Sequence, residues 1–234
     1  MLAEAIVADC IVVGGGLIGM FTARELALSG MTVTLIDRNQ CGQESSWSGG
    51  GILSPLYPWR YPEPVTRLAA WSQSHFQNLT AEIMQDSGID PEWSQNGMLL
   101  VSMEDELEAE RWAAQFGYEM HNLMKSELTQ YEPALEKHFQ RALYFPDIAQ
   151  IRSPRLVKSL KKSLVVRGVD IKENTSVSKL LIDQRGISGV VTNHGHYYAD
   201  KVVLCGGAWT GQLLAELELQ LDVEPVRGQM LMYK

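Results

Sequence analysis

Cys10-Ile-Val-Val-Gly14-Gly-Gly16-Leu-Ile-Gly19 decides the fold. An apolar strand runs into Gly14-x-Gly16-x-x-Gly19, and a helical pattern follows at once. Val33-Thr-Leu-Ile-Asp37 is a second strand that closes on an acid, 18 residues past Gly19. Each position has its own physical reason. Gly14 allows the tight turn out of the strand. Gly16 lets a pyrophosphate approach the backbone. Gly19 lets the helix lie close to the strand. The helix starting near Leu17 aims unpaired N–H groups at the phosphates. Ala23, Leu26 and Ala27 keep helical spacing, and Gly30 stands where a C-terminal cap belongs. Asp37 is placed to accept hydrogen bonds from an adenosine ribose. Strand, glycine turn, helix, second strand and acid together form a dinucleotide-binding fingerprint, open at this point to NAD or FAD.

The rest of the chain limits what that fingerprint serves. A net charge of −8 and the absence of a long Lys/Arg run argue against nucleic acid as a partner. Lys158, Lys161 and Lys162 read as the solvated face of one helix. The composition, 45% hydrophobic and 21% charged, is that of a globular protein. The apolar N-terminus lacks a cationic start and is interrupted by Asp9, which argues against a signal peptide. No stretch has the roughly 18 apolar residues of a membrane span. Cys10, Cys41 and Cys205 form no CxxC pair and point to a reducing, cytoplasmic setting. His75, His121 and His138 have no partner at metal-ligand spacing, so no metal site is expected.

After Asp37 comes a glycine-rich stretch, Cys41 to Gly51, which composition alone reads as a surface loop. A Pro- and aromatic-rich run from Pro55 to Pro64 excludes a long helix there. Helices are predicted over about 66–87, with Leu68, Trp71, His75 and Leu79 on nearby faces, and over 104–116 and 126–131. Strands are predicted over 97–102 and 141–145. Ser153-Pro154 starts a helix that runs to about Arg167. Strands are then expected over 169–172, 177–182, 187–192, 196–198 and 200–205. A helix follows over 208–217, and Met230–Tyr233 alternates as a strand. More than 100 residues separate the second strand from the return of the βα pattern, so the nucleotide-binding sheet is not contiguous in sequence.

The chain resembles the glycine-oxidase branch of the D-amino-acid oxidase family of FAD flavoproteins, over its N-terminal two-thirds. The resemblance rests on Val13 to Gly19, Leu35-Ile-Asp37, Ser45-Ser46, Gly49 to Leu53, Asn96-Gly97, Ser153-Pro154, Thr175 to Val177, Val203 to Trp209 and Pro225 to Gln229. The Gly-Ala-Trp and Pro-Val-Arg-Gly-Gln elements are the more specific. Ser46 to Arg60 points to the glycine-oxidase branch. The resemblance implies an α/β fold: a Rossmann-like FAD-binding domain over 1–84 and 152–218, and an α+β substrate domain over 85–151 and 219–234 whose C-terminal part is missing.

It also implies roles. Leu17 and Ile18 would lie against the diphosphate. Asp37 would hold the ribose, with Arg38 beside it; the family often carries Glu at the acid position. Ser45 and Ser46 would contact the diphosphate and ribityl region. Gly50, Gly51 and Ile52 would run along the isoalloxazine. Val177 would meet the adenine through its backbone, and Gly206 and Gly207 would end the strand passing the cofactor. Trp47 and Trp209 are equally compatible with core packing, and Arg227 is left unassigned.

The implied reaction is FAD-dependent oxidative deamination of glycine, a small D-amino acid or a secondary amine. Oxygen is the second substrate, and keto acid, ammonia and hydrogen peroxide are the products. In the glycine-oxidase branch this supplies thiamine thiazole synthesis. The family's substrate-carboxylate arginine comes from its C-terminal third, so this chain is expected to be truncated and inactive alone. The catalytic residues are not identified. Alternatives are a sarcosine oxidase-like or other amine oxidase, the oxidase half of a tRNA-modifying enzyme (disfavoured by the acidic charge), or a non-catalytic flavin-binding subunit. Assembly into a homo-oligomer is left open.

Overall fold

The computed structural model describes residues 7–136, 138–184 and 186–229. Its elements follow in the order β1 Val7–Val13, α1 Leu17–Leu28, β2 Val33–Ile36, α2 Ser45–Ser48, α3 Glu63–Ser87, β3 Met98–Leu100, α4 Glu106–Phe116, β4 His121–Met124, α5 Lys125–Tyr131, β5 Arg141–Phe145, α6 Ser153–Val166, β6 Asp170–Lys172, β7 Val177–Asp183, β8 Gly186–Thr192, β9 Gly195–Leu204 and α7 Thr210–Leu214. They form two compact units. One takes the chain up to Gly49, Ile83–Ile89 and the chain from Ser153 on; the other takes Gly50–Glu82 and Asp90–Arg152. The sequence reading drew its limits at 84 and 152. Backbone bonding explains why Gly50 onward groups with the second unit. Ile151 N–H donates to Gly51 O at 2.8 Å and Leu53 N–H to Ala149 O at 2.9 Å.

The first unit is built on a six-stranded sheet in the order β6-β2-β1-β9-β8-β7. β6, β2, β1 and β9 are parallel; β8 and β7 add on antiparallel. β2 is buried at all four positions, as a strand inside a parallel sheet covered on both faces must be. Side chains alternate across β1. Ile11 and Val13 face a cluster with Ile36, Leu180, Val190 and Tyr197, closed by Leu213 of α7. On α1 Met20 and Ala23, and on α6 Leu156, Leu160 and Leu164, are buried. α1 ends in paired bonds from Gly30 N–H to Ala27 O at 3.0 Å and Met31 N–H to Leu26 O at 3.1 Å, the pattern of a glycine-terminated helix.

A charged cluster ties this unit's helices together. Asp86, in the last turn of α3, accepts Arg167 Nε at 2.6 Å and Nη2 at 2.9 Å, and the Ser163 hydroxyl at 2.6 Å. Arg24 of α1, fully buried, brings Nη2 to 3.9 Å from the same carboxylate. Burial pushes the Asp86 carboxyl up, but the Ser163 and Arg167 hydrogen bonds and the two guanidinium charges outweigh it, and the group sits below its ordinary 3.8.

The second unit holds a three-stranded antiparallel sheet, β3-β5-β4. Met98, Leu100, Leu143 and Phe145 of that sheet pack on Ala109, Trp112 and Ala113 of α4. Trp112 stacks on Tyr118 at 4.4 Å between ring centres, and its indole N–H donates to the buried Thr66 hydroxyl at 3.3 Å.

Several elements differ from expectation. The predicted strands 196–198 and 200–205 are one strand, β9, which pairs with β1 continuously from Tyr198 through Ala199 and Lys201 to Leu204. The helix expected over 208–217 is a 3-10 turn at Gly207–Trp209, then α7, then a second 3-10 turn at Ala215–Leu217. β4 was not expected, and only Leu123 of its four residues is buried. The Ser45–Gly51 loop contains the short helix α2. On α3, Leu68 is 70% and Trp71 63% exposed, so that apolar stripe lies outside the described core. The strand expected at Met230–Tyr233 falls outside the described residues.

Candidate functional site

The glycine turn works by close approach. Gly14 has φ +109°, and a Cβ there would stand 2.3 Å from the Cys205 carbonyl oxygen. At Gly19 a Cβ would fall 1.8 Å from the Gly14 carbonyl oxygen, so only glycine lets α1 rest on the turn. Gly16 caps α1 with extended backbone and no side-chain cap, and a Cβ there would reach within 3.3 Å of the Ser46 hydroxyl. The first turn of α1 leaves the N–H groups of Leu17, Ile18 and Gly19 without acceptors inside the helix. The Leu17 N–H is taken by Ser46 Oγ at 2.9 Å. Because Ser46 accepts from the helix, its own proton is available to a ligand.

Asp37 stands one residue past β2. Its Oδ2 accepts Gly15 N–H at 2.6 Å and its Oδ1 accepts Asn39 N–H at 2.8 Å. Each carboxylate oxygen keeps a further lone pair for a ligand hydroxyl. The neighbouring loop is anchored by Glu173, which accepts Cys41 N–H at 2.7 Å and Lys161 Nζ at 2.6 Å. Burial pushes the Glu173 carboxyl up; Lys161 and the Cys41 N–H outweigh it and hold it below its ordinary value. The Cys41 thiol is 2% exposed, and burial, with Asp37 and Glu173 adding to it, pushes it up to about 12.

A cleft of about 360 Å³ opens on this turn, within the range of small-molecule sites. Of the residues singled out from sequence, Gly14, Gly16, Asp37, Arg38, Ser45, Ser46, Val177, Gly206 and Gly207 all line it. Leu17, Ile18 and Gly19 do not: Leu17 bonds Ser46, Ile18 is 73% exposed, and Gly19 is buried against the turn. Gly50, Gly51 and Ile52 belong to the second unit, where Ile52 bridges to Gln150. Sequence reasoning left Trp209 unassigned. It lines the cleft, with the Arg38 guanidinium 3.9 Å from its ring centre. The Gly-Ala-Trp motif was the available signal. The anchoring of Cys41 by Glu173, 132 residues away, left no local signal. Among the described residues there is no cluster suited to a metal ion, and no helix is long and apolar enough to cross a membrane.

A parallel sheet, a glycine turn at a helix N-terminus and an acid after the second strand define a dinucleotide-binding α/β protein. The sequence profile of the FAD dependent oxidoreductase family, of D-amino-acid oxidase type, matches residues 9–234, and the chain belongs to that family. It is 44% identical over 225 residues to the glycine oxidase of Pseudomonas aeruginosa and 42% identical over 225 residues to that of Pseudomonas putida. Each match covers 96% of this chain and 62% of the relative. The crystal structure of glycine oxidase from Geobacillus kaustophilus superposes with a TM-score of 0.86 at 26% identity, covering 93% of this chain and 60% of that one. The chain thus spans about 62% of the length of the curated relatives it matches.

FAD is the family's cofactor, and the cleft fits it. Ser45, Ser46 and the Asp37 carboxylate, whose oxygens keep lone pairs for a ligand hydroxyl, line the cleft beside Gly14 and Gly16 of the turn.

Proposed function

We propose that this chain holds FAD in the cleft at the end of β1 and serves the oxidative deamination of a small amino acid, with glycine the preferred substrate. The observation that carries this is the convergence of Ser46, Asp37 and the Gly14–Gly19 turn on one cleft, in a chain 44% identical to a glycine oxidase. The two-electron oxidation of the amine, with oxygen reduced to hydrogen peroxide, is the chemistry FAD supplies when bound.

The chain's own residues bind and orient. The start of α1 and the Ser45 and Ser46 hydroxyls hold the diphosphate. Asp37 holds the adenosine ribose, with Arg38 and the Val177 backbone on the adenine side. Gly206 and Gly207 end β9 where the cofactor passes. No general base is required of these residues when the amine binds unprotonated. The free cysteines fit a reducing, cytoplasmic setting, and the oxidation of glycine fits the supply of thiamine thiazole synthesis.

Hydrogen peroxide release with glycine, sarcosine and D-alanine tests the assignment. The 234-residue chain alone is expected to release little peroxide; in a chain carrying the remaining length of its glycine oxidase relatives, the highest kcat/KM is expected with glycine. A tenfold preference for sarcosine or D-alanine overturns the substrate assignment.

A further inference from the structure

Arg38 follows the ribose acid directly in sequence, and three observations fix its surroundings. Its guanidinium carbon lies 3.9 Å from the Trp209 ring centre. Its Nη2 stands 3.4 Å from Glu44 Oε1, which also accepts Asn39 Nδ2 at 3.3 Å. Thr175 N–H donates to Asp37 O at 2.8 Å and Asn174 N–H to Asn39 O at 3.1 Å, so the chain leading into Val177 runs beside Asp37–Asn39. Arg38, Trp209 and Val177 line one cleft with Asp37.

The diphosphate belongs at the helix start and the ribose at Asp37. The adenine therefore falls on the part of the cleft walled by Arg38 and Val177. An arginine on a loop has many rotamers and is a poor platform unless it is held. Trp209 and Glu44 supply that hold, the indole ring under the guanidinium carbon and the carboxylate 3.4 Å from Nη2. A guanidinium stacked on an indole keeps its second face flat for another π system.

We propose that Trp209 is a positioning residue for the adenosine half of FAD: its indole orients Arg38, which offers its opposite face to the adenine. The proposal rests on the assignment of this cleft to FAD and adds to it a role for a residue that touches Arg38.

A double-mutant cycle read by binding tests it. FAD affinity is measured by flavin fluorescence and ADP affinity by calorimetry on the full 234-residue chain. Trp209→Ala is expected to weaken both ligands about tenfold, the order of one cation–π contact. In an Arg38→Ala background the same change is expected to cost less than about twofold, because the contact is already gone. Trp209→Phe, which keeps a π face, should stay within about threefold of wild type, while Trp209→Leu should resemble Trp209→Ala. That second pair decides the matter if the alanine variant folds poorly. An equal cost of Trp209→Ala with and without Arg38, or a loss for FAD with ADP unchanged, overturns the positioning role while leaving the FAD site standing. Wild-type chain that binds neither FAD nor ADP overturns the cofactor assignment and this inference with it.

Discussion

Asp37 Oδ2 accepts the Gly15 N–H at 2.6 Å, so the acid and the glycine turn form one hydrogen-bonded unit. Asp37 therefore shapes the turn in addition to the ribose contact proposed for it. Asp37→Ala removes both roles and is expected to weaken FAD binding by about 10- to 100-fold, the range for losing one or two charge-assisted hydrogen bonds. Asp37→Glu keeps the acceptor on a longer arm and should stay within about fivefold. Fluorescence titration of both variants checks this, and equal losses contradict the geometry.

Gly19→Ala is expected to damage the fold and not only the site. The new Cβ would meet a backbone oxygen at 1.8 Å, and backbone cannot yield as a side-chain end can. By contrast, nothing lies within 4 Å of a Cβ built at Gly50. Thermal melts should show a clear fall in Tm for Gly19→Ala and almost none for Gly50→Ala.

The Asp86 cluster governs stability far from the cleft chemistry. Replacing it with Ala takes from Arg167 its bidentate partner and leaves Arg24 with its other contacts, Glu25 among them, and should cost about 3 kcal/mol. For a chain of this size that is roughly 6–12 °C in Tm. Because the folded-state pKa lies below 3.8, the carboxylate's contribution is complete above that pH and is lost as pH falls through the lower folded value. Wild type should therefore lose stability on acidification below pH 3.8 more steeply than Asp86→Asn, as followed by urea unfolding across pH.

The three thiols should be quiet in the folded chain. Burial raises Cys10, Cys41 and Cys205 alike, and Cys41 reaches about 12. A thiol is reactive as thiolate, so labelling at pH 8 should be slow for all three and complete in denaturant. Rapid native labelling of Cys41 would contradict its burial against Gly15 and Asp37.

What could be read from sequence follows from how local each cause is. Gly14, Gly16, Gly19 and Asp37 act through the turn they sit in, and their spacing alone reveals them. Ser153-Pro154 marked the start of α6 for the same reason. Ser46 meeting Leu17 depends on residues 29 apart, and Glu173 meeting Cys41 on a pair 132 apart, so no window of sequence carries either. β4 was missed because a strand with three exposed residues has no apolar alternation to read. β9 was read as two strands, 196–198 and 200–205, divided at Ala199, because the three exposed residues Tyr198, Asp200 and Lys201 around it break the apolar run of what is one strand. Trp209 offered a motif without a partner, and the partner came only with the fold.

The central claim is that the cleft at the end of β1 holds FAD. Its most direct test is a titration of the purified chain with FAD, following flavin fluorescence with ADP as competitor. The account predicts saturation at one FAD per chain and displacement by ADP. A folded chain that takes up no FAD, or takes it up without competition from ADP, would contradict it.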